Sequence, residues 1–106
     1  MTDRKFHACV EYIKESRKGV KGSAPLGKQD ALMFYAMYMQ ATKGNVTGRR
    51  PSFLNKTARD KYDAWKALSD NHISKDEAMQ MFIDRFQKVA PEQYNVVDAT
   101  MMMARM

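Results

Sequence analysis

Phe6, Val10 and Ile13 recur at steps of four and three residues, which aligns their side chains along one side of an α-helix. The stretch from Asp3 to about Glu15 is therefore expected to form the first helix. A second is expected from near Lys28 to about Thr42, with Ala31, Leu32, Tyr35, Tyr38 and Met39 on one side and Met33, Phe34 and Met37 on the other. Both of its faces need a partner. Gly44 offers the left-handed conformation that ends a helix. Ala58, Tyr62, Trp65 and Leu68 repeat at four, three and three, after Asn55 as a plausible cap, and mark a third helix. Ser74-x-x-Glu77 is a capping box opening a fourth, whose stripe is Ala78, Met79, Phe82, Ile83, Phe86 and Val89, closed by Pro91.

Between these elements lie segments that cannot carry a helix. "SRKGVKGSAPLG", Ser16 to Gly27, gathers three glycines, a proline and two serines and reads as a long basic loop. "NVTGRRPSFLN" is irregular because Pro51 lacks a donor and biases Arg50 toward extended backbone. The final "EQYNVVDATMMMARM" shows no period. A domain over residues 1–92 with a mobile tail over 93–106 is the expectation. β-branched residues are sparse and no alternating run occurs, so the fold class is all-α, with four helices.

Composition narrows the picture. At 106 residues, 44% hydrophobic and 28% charged, the chain suits one soluble domain, without an apolar run long enough to span a membrane. Its N-terminus, Met-Thr-Asp-Arg-Lys-Phe, has no secretory apolar region, and its one cysteine, Cys9, forms no internal disulfide. Both point to a cytoplasmic location, with Cys9 serving as a small buried hydrophobe. The net charge of +6 is uneven: residues 1–66 hold 14 basic and 6 acidic side chains, residues 67–106 hold 4 and 6. A field of that shape steers anionic partners toward the first two thirds of the chain.

Catalytic chemistry finds little support. His7 and His72 have no ligand at metal spacing, and there is no nucleophile elbow, phosphate loop or cysteine beside a base, so neither a metal site nor an enzyme is expected. Asp60 and Asp63 lie among Arg59, Lys61 and Lys66 and read as partners in surface ion pairs. Lys61 and Trp65 sit four apart, a cation and a large ring on one edge. Lysines interleaved with tyrosines suit an amphipathic anionic ligand: the ammonium for phosphate, the ring as a platform, an apolar groove for a tail. Tyr35 and Tyr38, one turn apart, fit either that role or half-buried core positions.

"FYAMYMQATKGN", "RRPSFLN", "ARDKYDAWKAL" and "SKDEAMQMFI" resemble, in order and spacing, the acyl-CoA-binding protein family segments LY-x-x-YKQAT-x-GD, RP-x-x-LD, KA-KWDAW and S-x-E-x-A-M-x-x-YI. The resemblance covers most of Phe6 to Val89. It implies a four-helix bundle of up-down-down-up topology that binds medium- to long-chain acyl-CoA esters without reacting with them, as an intracellular carrier and pool former that needs no cofactor. By matched position it implies Tyr35 and Lys61 at the ribose 3′-phosphate, Tyr38 at the adenine and Lys14 near the CoA phosphates. Phe6, Val10 and Leu32 would border the lipid side, where Ala31, smaller than usual, would leave a roomier groove.

Three positions depart from the family pattern. Met39 stands where the family usually has lysine, Phe82 replaces a tyrosine, and Tyr62 replaces the first tryptophan of KWDAW. Loss of one charge-assisted hydrogen bond costs about 1.5–3 kcal/mol, one to two decades in affinity. A weaker hold on the nucleotide end is expected, while Met39, flexible and polarizable, can follow a lipid tail. The expected partner is thus the acyl-CoA itself, held by a monomer with at most transient membrane-surface contact and no nucleic acid. The rival readings keep the fold with a fatty acid, a phospholipid or a docking partner as ligand, or make the chain a small basic nucleic-acid-binding domain. Against the last stands the lack of a dense Lys/Arg helix face. One further expectation concerns Met101, Met102, Met103 and Met106, which are suited to filling an empty acyl groove.

Overall fold

The computed structural model describes residues 2–17 and 27–104, and they form five helices: α1 Thr2–Arg17, α2 Lys28–Lys43, α3 Lys56–Asp70, α4 Lys75–Val89 and α5 Pro91–Ala104. The long basic loop expected over Ser16 to Gly27 lies largely outside the described residues; α1 continues through Arg17, and Gly27 is the N-cap of α2. The chain divides into two compact units, Gly27–Met79 and Met1–Leu26 with Gln80–Met106.

In the Gly27–Met79 unit, α2 packs on α3. Asp30 in the first turn of α2 and Lys43 in the last complement its dipole. The helix stops at Gly44, whose φ of 82° lies where side chains are strained and whose N–H donates to the Gln40 carbonyl at 3.1 Å. Asn55 caps α3 as expected, its side chain accepting from the Ala58 N–H at 3.3 Å. At the other end of α3, the Ile73 N–H donates to the Leu68 carbonyl and the His72 N–H to the Ser69 carbonyl, at 3.2 and 3.0 Å. That is the paired bonding of a Schellman ending, with His72 at φ 58° in the place glycine usually takes. The Ser74–Glu77 capping box is present in both directions, at 3.0 and 3.2 Å.

One buried polar side chain joins these parts. Gln40, 1% exposed, donates from its amide to the Ile73 carbonyl at 2.7 Å and to Asn45 Oδ1 at 3.0 Å, and accepts from the Ser69 hydroxyl at 2.9 Å. The Ser69 oxygen in turn accepts from the Val46 N–H at 2.8 Å. Gln40 therefore ties α2 to the loop after it, to α3 and to the loop before α4.

In the other unit, α1 packs on α5. The Phe6 ring meets Phe82 edge-on, centroids 5.1 Å apart, and Tyr12 lies against Phe86 at 6.0 Å. Cys9, Val10, Ile13, Ile83 and Val97 are buried in the same unit. Burial pushes the Cys9 thiol up to about 12, opposed by the nearby Lys5 charge. It is an inert small hydrophobe, as expected.

α5 is where the structure departs from the four-helix expectation. Pro91 does end α4, but it also takes the first position of a new helix, where its missing N–H costs nothing. Most of the stretch expected to be a periodless tail is thus helical. Its anchor is polar: the Lys5 ammonium donates to the Tyr94 hydroxyl at 2.7 Å and to Asp98 at 2.8 Å, leaving Val97 as the buried apolar contact between them. Tyr94 and Asp98 are one turn apart, so the docking stripe contains little for a hydrophobic count to find. Met102 and Met103 are 61% and 73% exposed, so neither fills a groove of its own chain; Met101 is half-buried, and Met106 lies outside the described residues.

Replacing Gln40 with leucine should lower stability by about 1–3 kcal/mol, because the part-buried Ile73 carbonyl loses its side-chain donor and the Ser69 hydroxyl is left with the Trp65 carbonyl. Urea unfolding followed by far-UV circular dichroism checks this. Lys5 gives a pH-dependent test. Burial lowers its pKa, but the hydrogen bonds to Asp98 and Tyr94 outweigh that and hold it above 10.5. A folded-state pKa above the unfolded one means the stabilisation is whole below pH 10.5 and fades as pH rises through the raised value. Lys5→Met should therefore cost about 0.5–1 kcal/mol at neutral pH, discounted for the partly exposed Asp98, and the gap from the parent should close above that point in thermal melts across pH.

Candidate functional site

α2 and α3 bring Tyr35 and Lys61 together. The Lys61 Nζ lies 5.2 Å from the centroid of the Tyr35 ring, and both side chains are half-buried. A cation at that distance is held by the ring's negative face while its N–H groups stay able to donate. The phenol hydroxyl supplies a further donor on the same residue. An ammonium and a hydroxyl set on one platform suit a phosphate-bearing ligand with a flat base.

The ring under the Lys61 ammonium is Tyr35. Trp65 is buried, and its indole N–H donates to the Gly44 carbonyl at 2.8 Å, so it supports the α2 exit. Lys61 and Trp65, four apart, share a helix face, and the partner helix decides how far each is covered. Tyr38 and Met39 are half-buried on α2, as are Ala31 and Leu32. In the other unit, Phe6 and Val10 on α1 and Phe82 on α4 are buried, with Phe6 and Phe82 in direct ring contact. Lys14 is exposed on α1, with its ammonium 3.7 Å from Glu11.

The acidic residues near Lys61 are engaged elsewhere. Asp63 accepts from both Nε and an Nη of Arg50, at 2.8 and 2.7 Å, which holds its carboxyl below the usual carboxylate range. Asp60 pairs with Lys56 at 3.0 Å, and Lys66 with Asp70 at 2.6 Å. These are surface pairs, as expected, although Asp63 reaches across to the preceding loop where the sequence suggested neighbours on its own helix. Among the described residues, no group of three or more His, Cys, Asp or Glu is placed to hold a metal ion. Sequence reasoning passed over Gln40, Ser69 and Gly48 as support for the platform. Tyr62, in place of a tryptophan, donates its hydroxyl to the Gly48 carbonyl at 3.1 Å, so the substitution gives the loop a fastening.

A protein-family model described as "Acyl CoA binding protein" matches residues 3–86. Acyl-CoA-binding protein homolog 3 of Caenorhabditis elegans is 36% identical over 92 residues, covering 83% of this chain and 76% of that one. Acyl-CoA-binding domain-containing protein 5 of Xenopus laevis is 36% identical over 85 residues, but the matched part is 80% of this chain and only 17% of that protein. The chain thus corresponds to one domain of the longer relative. Among solved structures, ACBP from Moniliophthora perniciosa superposes with a TM-score of 0.73 at 27% identity, covering 97% of both chains. An all-helical fold, a matched family model over most of the chain and a relative of similar length agree: the chain belongs to the acyl-CoA-binding protein family.

Proposed function

We propose that the protein binds medium- to long-chain acyl-CoA esters non-covalently, as a monomeric cytoplasmic carrier that holds and transports a pool of them without altering the thioester. The observation that carries the reading is the Lys61 ammonium over the Tyr35 ring, two residues of different helices brought together within the matched region. In this reading Lys61 and the Tyr35 hydroxyl take the 3′-phosphate, Tyr38 takes the adenine, and Lys14 stays near the CoA phosphates. Phe6, Val10, Ala31 and Leu32 border the acyl chain, with Met39 and Phe82 contributing polarizable and aromatic surface. Binding needs no cofactor. No helix among the described residues is long and apolar enough to cross a membrane, which suits a carrier that takes up its ligand from solution or from a surface.

A second reading is favoured by Met39. With methionine where the family has lysine, less of the affinity comes from charge and more from the tail, at about 0.8 kcal/mol per buried methylene. The same fold would then accept a fatty acid or a phospholipid, or serve as a docking module.

Isothermal titration with palmitoyl-CoA, CoA and palmitate under one set of conditions separates the readings. A carrier binds the thioester more tightly than either fragment; palmitate bound as tightly as palmitoyl-CoA overturns the proposal. Lys61→Ala should weaken palmitoyl-CoA about tenfold or more and leave palmitate unchanged. Met39→Lys should tighten palmitoyl-CoA by about tenfold, and no gain would remove Met39 as the cause of weaker nucleotide binding.

A further inference from the structure

The segment joining α2 to α3 ends in an exposed apolar pair. Phe53 and Leu54 are 75% and 83% exposed, adjacent in sequence and alike in being large hydrophobics. They occupy the two central positions of a tight turn closed by the Asn55 N–H donating to the Ser52 carbonyl at 2.9 Å. Ser52 tightens it further, its hydroxyl oxygen accepting from the Leu54 N–H at 3.2 Å. Asn55 then caps α3, so the pair is fixed at the tip of a built corner and stands clear of the packed elements.

The rest of the segment is fastened down. Along it, Gly44, Val46, Gly48 and Arg50 are bonded in turn to Trp65, Ser69, Tyr62 and Asp63 of α3. A corner held this firmly has little conformational freedom left to lose on contact. It is also basic: residues 43–56 contain Lys43, Arg49, Arg50 and Lys56 and no acidic residue. Arg50 and Lys56 are paired with aspartates of α3, whereas Lys43 and Arg49, both exposed, show no ion pair among the described residues.

We propose that the Phe53–Leu54 corner is a membrane-docking tip, which inserts its two side chains at the headgroup level of an anionic bilayer while Arg49 and Lys43 meet the lipid phosphates. Charge complementarity selects the occupant. A second copy would bring the same cations face to face, and two side chains cover far less than the roughly 1,200 Å² of a stable protein interface. A negatively charged leaflet attracts the flanking cations and takes apolar side chains singly, without needing a matching surface. The docking is weak and reversible, since two apolar anchors and two charges fall short of a lipid chain or a helix. It stands apart from the acyl-CoA reading, because none of these residues belongs to the Tyr35–Lys61 platform.

The test is co-flotation of the full chain with phosphatidylcholine vesicles made with and without phosphatidylserine. Binding is expected only to the anionic vesicles, with the partition coefficient lowered about tenfold or more by the double variant Phe53→Ser/Leu54→Ser. Arg49→Glu should lower it by roughly tenfold. In Phe53→Trp, tryptophan emission should shift to the blue on adding anionic vesicles. Far-UV circular dichroism of each variant verifies that the fold is kept. Equal flotation of the double variant, or no shift in Phe53→Trp, overturns the proposal. So does a doubling of mass by light scattering that the double variant abolishes, which would make the corner a contact between copies.

Discussion

The Gln40 carboxamide is the one group on which the arrangement of α2 and α3 depends. Removed from water, an amide has to have its donors and acceptor met by protein, and here they reach three separate stretches of chain. Apolar packing alone tolerates a helix sliding or rotating by small amounts, since methyl groups have no direction. A buried amide with three fixed partners does not, and it sets the rotation of α2 about its own axis. That rotation decides whether Tyr35, five residues earlier, faces Lys61. The Tyr35–Lys61 contact is therefore a consequence of a polar contact more than one helical turn away, reached through backbone rigidity.

The same reasoning explains why the segment after Gly44 is ordered although it contains no regular structure. Its carbonyls and N–H groups cannot pair with each other in a ladder, so α3 supplies partners, the Trp65 indole and the Ser69 and Tyr62 hydroxyls, while the Asp63 carboxylate holds the Arg50 side chain. Gly44 and Gly48, with φ of 82° and 85°, allow the chain to turn into reach of those groups. A side chain at Gly44 would be strained by that backbone conformation, although its Cβ would meet only the Lys75 side chain, at 3.4 Å.

What the sequence made legible follows from which interactions are local. The Asn55 cap, the Ser74–Glu77 box and the Gly44 stop each involve residues within four positions of one another, so spacing alone revealed them. The apolar stripes of α1, α3 and α4 were legible for the same reason. α5 was missed because its attachment is between Lys5 and residues some ninety positions later, through a hydroxyl and a carboxylate that no hydrophobic period registers. Gln40 lies within the stretch FYAMYMQATKGN, and nothing nearby in sequence reveals that its amide is buried. Of the candidate site, the pairing of Tyr35 with Lys61 was implied by family resemblance and then found in space. Spacing puts Lys61 and Trp65 on one edge of α3, but which ring lies under the ammonium is decided by α2, which spacing within α3 does not reveal.

The substitutions at Met39 and Tyr62 act on different properties of the same unit. Tyr62 adds a hydroxyl that fastens the loop to α3, and so favours a stiff frame around the platform. Met39 removes a charge beside it and leaves an apolar, flexible surface on α2. A stiff frame preserves the geometry of whatever charge remains, here the Lys61 ammonium, whose attraction for an anion falls steeply if its position wanders. The attraction for an anion can thus persist with fewer cations, provided those cations are well held. Holding Lys61 on the Tyr35 ring meets that condition without neutralising it, because a ring face attracts the cation but, unlike a carboxylate, does not cancel its charge.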